Sequence, residues 1–139
     1  MRRRDPSRQE VRETLRQAEK LVKDSLETAK TDSLSEAIRQ LYQVFPKEQW
    51  LARAVTRYLL ATVEEQSRHT WLVKGIPELG DKKAYYLVTQ VGDKYECSCY
   101  NAPFGWTRRK NICTHIAAVM LYKRRRYIDE YISDEDNDY

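Results

Sequence analysis

Tyr95-Glu96-Cys97-Ser98-Cys99 and, after a spacer of thirteen residues, Cys113-Thr114-His115-Ile116-Ala117-Ala118-Val119-Met120 set the architecture of this 139-residue chain. Side chains two apart on a strand share a face, so Cys97 and Cys99 can meet one ion. Two apart inside a helix they diverge by about 200°, so Cys113 and His115 must straddle a helix start. Asn111 or Thr114 fits that placement as the capping residue. A helix N-terminus carries partial positive charge, which favours thiolates beside it.

All three cysteines of the chain fall in this one two-part cluster. A Cys97–Cys113 disulfide is the competing use of the same sulfurs, and three buried cysteines beside a surface histidine is the bland one. An intracellular chain that concentrates every cysteine at metal-ligand spacing points instead to zinc. Cys97, Cys99, Cys113 and His115 would supply three thiolates and one imidazole, a closed tetrahedral set with no position for water. The expected cofactor is therefore one structural Zn2+. Its binding should contribute on the order of 10 kcal/mol to folding of the finger, by analogy with zinc-finger peptides.

Working outward, the segment before the cysteines reads as strands. Thr70-Trp71-Leu72-Val73-Lys74 and Ala84 to Thr89 are rich in β-branched and aromatic residues, and Val91-Gly92-Asp93-Lys94 reads as a tight turn. The first half reads as helical. Ser7-Arg8-Gln9-Glu10 is a capping box, followed by a stripe of Val11, Leu15, Ala18, Val22, Leu26 and Ala29. Ser33 to Glu36 repeats the box ahead of Ala37, Ile38, Leu41, Tyr42 and Phe45, and Pro46 suits the first turn of a third helix. That third helix carries Trp50, Leu51, Ala54, Val55, Tyr58, Leu59, Thr62 and Val63 on its apolar face, with His69 at its end. A last helix is expected from about Asn111 through Tyr131. The fold class is thus α+β: about three N-terminal helices, a ββ(β)α finger and a C-terminal helix. The predicted divisions are a helical region over 7–69, a finger with its helix over 70–132, and an acidic disordered tail over 133–139.

The run Tyr86-Leu87-Val88, Cys97-Ser98-Cys99 and Cys113-Thr114-His115 followed by an apolar helix resembles the SWIM zinc finger, whose signature is C-x-C, a variable spacer, then C-x-H. Trp71 to Gly75 is similar to the strand that commonly precedes it. The likeness covers about residues 70–125, in the manner of a small stand-alone member, and its spacer is longer than in many members. SWIM fingers occur in chromatin-remodelling ATPases, transposases, ubiquitin-ligase kinases and recombination-mediator partners. The resemblance implies zinc on the four matching residues and a module that binds DNA or protein, not a reaction.

Charge is distributed unevenly. Residues 70–128 hold eleven Lys or Arg against four acids, a net of +7, whereas 129–139 hold six acids and no base. Such asymmetry points to a polyanionic partner, with a solvated surface and a free tail as the alternative. Between the cysteine pairs, Tyr100, Phe104 and Trp106 interleave with Arg108, Arg109 and Lys110, and Lys123, Arg124, Arg125 and Arg126 follow downstream. Aromatic faces can stack on bases while cations meet phosphates, although Phe104 and Trp106 could equally pack the small finger. These readings lead to a non-catalytic module binding DNA or RNA. The alternative is an adaptor that docks a protein through its N-terminal helices, in a recombination, replication or ribonucleoprotein complex. No glycine-rich phosphate loop or nucleophile elbow supports an enzyme. No apolar run approaches the ~20 residues of a membrane span, and no apolar stretch follows Arg2-Arg3-Arg4, so the expected location is the cytoplasm, or the nucleus of a eukaryote.

Overall fold

A computed structural model describes residues 6–27, 32–92, 94–99, 107–108 and 113–123. The fold is α+β, with three helices, an antiparallel sheet and a fourth helix in chain order. Helix α1 (Arg8–Glu27) opens on the expected capping box: Ser7 Oγ accepts from Glu10 N at 3.1 Å, and Glu10 Oε1 accepts from Ser7 N at 3.2 Å. Val11, Ala18 and Val22 of its stripe are buried, while Leu15 and Leu26 pack at the edge of the core. Helix α2 (Ser33–Val44) starts one residue earlier than the Ser33 box implies, because Asp32 caps it and accepts from Ser35 N at 3.1 Å. A carboxylate satisfies an orphan N–H as a hydroxyl does and adds favourable charge at the positive helix end. Helix α3 (Glu48–Leu59) lies mainly against α1, and Pro46 precedes its capping residue Lys47 instead of entering the first turn. Phe45 and Trp50 stack across the α2–α3 link with ring centres 5.1 Å apart.

The third helix is shorter than its apolar pattern predicts. Ala61 adopts φ +56°, a left-handed conformation that ends the helix, and Thr62 turns its hydroxyl and N–H back onto the carbonyl of Arg57. Residues Val63–Ser67 then form strand β1, not helix. Strand β1 is a mostly exposed edge with a bulge between Glu65 and Ser67, so it needs no apolar alternation and leaves little trace in the sequence. His69 accordingly sits in the β1–β2 turn, where its carbonyl accepts from Gln90 N at 2.8 Å; it caps no helix.

The strands run as an antiparallel meander in the order β1-β2-β3-β4-β5, with β2 Thr70–Lys74, β3 Tyr85–Val91, β4 Lys94–Cys97 and the two-residue β5 Thr107–Arg108. Val91 pairs with Lys94 across the expected tight turn. One face of the sheet turns Trp71, Val73, Tyr86, Val88, Tyr95 and Cys97 into the core. The fourth helix, α4, is described over 114–123 and buries Ile116, Ala117, Val119 and Leu121 in the same cluster as the side chains of α1, α2 and α3. One continuous core therefore serves the helices and the sheet. Among the described residues no helix is long and apolar enough to cross a membrane.

The connection from β2 to β3 passes through a 3-10 turn, Pro77–Leu79, and folds tightly on itself. Gly75 N donates to Ala84 O at 2.7 Å, and a Cβ on Gly75 would stand 1.8 Å from the carbonyl oxygen of Lys83. Only glycine allows the two ends of this connection to close. We expect Gly75→Ala to push that backbone apart and destabilise the protein by about 1–3 kcal/mol, the usual range for overpacking, read as a lowered midpoint in urea.

Candidate metal centre

The four residues expected to bind metal come together. One donor atom from each of Cys97, Cys99, Cys113 and His115 lies within 4.8 Å of the others, so the cluster could hold one metal ion. Edges of a tetrahedral zinc site with two to three sulfurs are about 3.5–3.8 Å, and Cys97 Sγ stands 3.8 Å from His115 Nδ1. Sub-ångström shifts would bring the set to ligand geometry, and the donor chemistry, soft sulfur with imidazole, suits zinc.

Local backbone geometry aims each donor. Cys97 ends β4, and Ser98 and Cys99 lie in the turn beyond it, so the strand is two residues shorter than the sequence pattern implies. The turn curls Cys99 N onto Cys97 Sγ at 3.4 Å, which brings the second sulfur round to the first. Ser98 locks the turn to β3: its Oγ accepts from Leu87 N at 2.9 Å and its N–H donates to Leu87 O at 3.0 Å. On the other side Cys113 itself caps α4, its sulfur accepting from Ile116 N at 3.4 Å. The Cys113 sulfur thus answers an orphan N–H of the first turn, and Thr114 is the first helical residue, not the cap. Asn111 lies outside the described residues.

Thr114 has a different task. Its Oγ1 accepts from Arg57 Nε at 3.0 Å, and the Arg57 guanidinium also forks onto Asp81, with Nη1–Oδ2 2.5 Å and Nη2–Oδ1 3.1 Å. Asp81 Oδ1 in turn lies 2.9 Å from His115 Nε2, and Asp81 Oδ2 accepts from Ile76 N at 2.7 Å. Arg57, Asp81 and His115 side chains are only 2%, 5% and 6% exposed. The imidazole is also clamped by Tyr86, whose ring stacks on it at 4.0 Å and 22°, while the Tyr86 hydroxyl accepts from Lys82 N and Lys83 N.

Electrostatics follow from these contacts. Burial works against the Asp81 carboxylate, yet hydrogen bonds from His115, Arg57 and Ile76, with the Arg57 charge, hold it well below the usual carboxylate range. Burial likewise opposes charge on His115, but Asp81, Cys113 and Cys99 outweigh it and push the metal-free imidazole up to about 10. Hydrogen bonding with Cys113 and Cys99, then burial, drives the Cys97 thiol up; the bonds it shares with Cys97 and Cys99 drive Cys113 down toward thiolate.

The sequence did not single out Arg57, Asp81, Tyr86 or Thr114 as parts of the site. Arg57 left one usable signal, a cation lying among the apolar positions of α3 between Val55 and Tyr58, where only a buried partner would justify it. Asp81 left none, being one acid in a polar connection. Among the candidate nucleic-acid contacts, Lys123 points inward. Its ammonium lies 5.1 Å above the Trp71 ring and 5.2 Å above that of Tyr95, and donates to Tyr95 Oη at 2.8 Å and Gln90 Oε1 at 2.5 Å. The backbone of Arg108 belongs to β5, opposite Tyr95. Tyr100, Phe104, Trp106, Arg109, Lys110, Arg124, Arg125, Arg126 and the tail 133–139 lie outside the described residues. No family model, curated protein or solved structure matches the chain.

Proposed function

We propose that this protein binds one structural Zn2+ through Cys97, Cys99, Cys113 and His115, as a finger of SWIM-like type, and uses the fixed centre to present a cationic surface to DNA or RNA. The observation that carries the metal reading is the convergence of three sulfurs and one imidazole nitrogen within 4.8 Å, from two separate backbone elements. Four protein donors fill a tetrahedron, which leaves no position to activate water and makes the centre structural, not catalytic. The nucleic-acid reading draws on placement and charge. The segment 100–112 runs in sequence from one metal ligand, Cys99, to another, Cys113, so an ion at the centre would tie its two ends together. That segment carries Arg108, Arg109 and Lys110, and Arg124 to Arg126 follow Lys123 in sequence, within a stretch of net charge +7. Lys123 serves in this reading as an internal anchor of α4 against Trp71 and Tyr95.

A protein-docking role has one observation of its own. The apolar stripes of α1 to α3 are largely occupied by the core, whereas β3 exposes Tyr85, Leu87 and Val91 at 42%, 44% and 60% on the outer sheet face. A partner would then be met by the sheet rather than by the helices.

Protein purified without added metal should contain one zinc per chain by elemental analysis, and chelation should lower the midpoint of its thermal transition. The ion must displace the proton that metal-free His115 holds up to about 10, along with protons on thiols. Zinc affinity should therefore climb by at least about tenfold per pH unit from about pH 6 to 9, and fall on acidification, measured by chelator competition. Asp81, held low, stays ionised through that window, so acid release reflects the ligands and not loss of its carboxylate. In gel shifts, affinity for DNA or RNA should drop with added salt along a linear log–log slope. Replacing Arg108, Arg109 and Lys110 together by Ala should flatten the slope while zinc content stays at one; unaltered mobility of the parent at low salt would favour the protein-docking reading.

A further inference from the structure

Every acceptor position of one buried carboxylate is taken. Asp81 Oδ1 meets His115 Nε2 at 2.9 Å and Arg57 Nη2 at 3.1 Å; Oδ2 meets Arg57 Nη1 at 2.5 Å and Ile76 N at 2.7 Å. An ionised carboxylate can only accept, so Nε2 of His115 must be the protonated nitrogen. With Nε2 committed to the carboxylate, Nδ1 is the nitrogen left to give up its proton and turn a lone pair to a metal, and Nδ1 is the atom 3.8 Å from Cys97 Sγ. The carboxylate therefore selects which imidazole nitrogen faces the sulfurs, and Tyr86 stacked at 4.0 Å holds the ring plane.

Arg57 completes this arrangement from a distant element. It comes from α3, 57 positions before Thr114, yet its three donor nitrogens reach Asp81 twice and Thr114 once. Thr114 lies between Cys113 and His115. A buried ion pair of this kind is weak as a stabiliser of the fold, since apolar residues of the same volume often do as well. Its geometry matters more than its charge. Gly80, at φ +94°, and the mutual bonding of Ile76 and Asp81 aim the carboxylate into the core beside the sulfurs.

We propose that Asp81 and Arg57 are the outer shell of the metal centre, Asp81 orienting His115 and Arg57 tying the centre to α3, so that metal occupancy and docking of α3 are coupled. This rests on the metal reading above. Both residues are positioning residues: neither donates to the ion. Coupling is reciprocal, so the metal must tighten α3 by as much as docked α3 tightens the metal.

The test measures Zn2+ and Co2+ affinity by chelator competition, the Co2+ absorption spectrum, and amide exchange of the full chain with and without zinc. Asp81→Asn and Arg57→Met should each weaken metal binding about 10–100-fold and alter the Co2+ bands. The double variant Arg57→Met with Asp81→Leu removes both charges together. It should stay folded at saturating zinc, by circular dichroism, yet bind as weakly as the single variants. Leu41→Ala, a core substitution away from the centre, should lower the melting temperature and leave the Co2+ bands in place. In the parent, zinc should slow exchange around Arg57 in α3 more than at the start of α1. Folded variants with parental affinity and spectrum would overturn the coupling while leaving the metal site standing. If the single variants fail to fold, the double variant and the parental exchange pattern decide. A parent that binds neither metal would sink both readings together.

Discussion

Three sulfurs and an imidazole are brought to one point where a hairpin ends and a helix begins, and the surrounding structure is arranged about that meeting. Thiol and imidazole groups crowded in a low-dielectric core lose water that their charged forms would need. The backbone answers part of this through N–H groups aimed at sulfur, Cys99 N onto Cys97 and Ile116 N onto Cys113. A divalent ion would answer the rest. On that reading one ion fixes two separate segments, Cys97–Cys99 and the start of α4, to each other.

Around the centre, polar order extends into the helices. Arg57, Asp81 and His115 form a buried line from α3 to the sulfurs, and the apolar core on either side shields it from water. The helical segment is thus more than an appendage to a finger: its third helix supplies a side chain to the site, and its apolar faces close the same core as the sheet. Lys123 of α4 plays a comparable part, its ammonium joining Trp71, Tyr95 and Gln90 in one contact.

Much of this was written in local sequence signals. The C-x-C and C-x-H spacing identified the four donors, because ligand chemistry demands few residue types and those types are scarce here. The Ser7–Glu10 box and the stripe of α1 follow from capping and periodicity, and the strands read over 70–74 and 84–89 from their β-branched and aromatic residues. What was hidden has physical reasons. Strand β1 lies at an edge and faces water, so Val63–Ser67 carries no alternation, and the left-handed Ala61 that ends α3 is not a residue type that announces a stop. Asp81 and Arg57 are far apart in sequence and meet only through tertiary packing, so no window along the chain could pair them. Two caps also differ from the pattern: Asp32 accepts at the start of α2, and the Cys113 sulfur accepts at the start of α4.

The claim on which all else rests is a metal coordinated by three sulfurs and one nitrogen. Zinc-edge X-ray absorption on protein prepared without added metal reads that shell directly. The account predicts three sulfur scatterers at about 2.3 Å and one nitrogen at about 2.0–2.1 Å. A shell of oxygen donors, a shell with two sulfurs or fewer, or no zinc edge at all would contradict it.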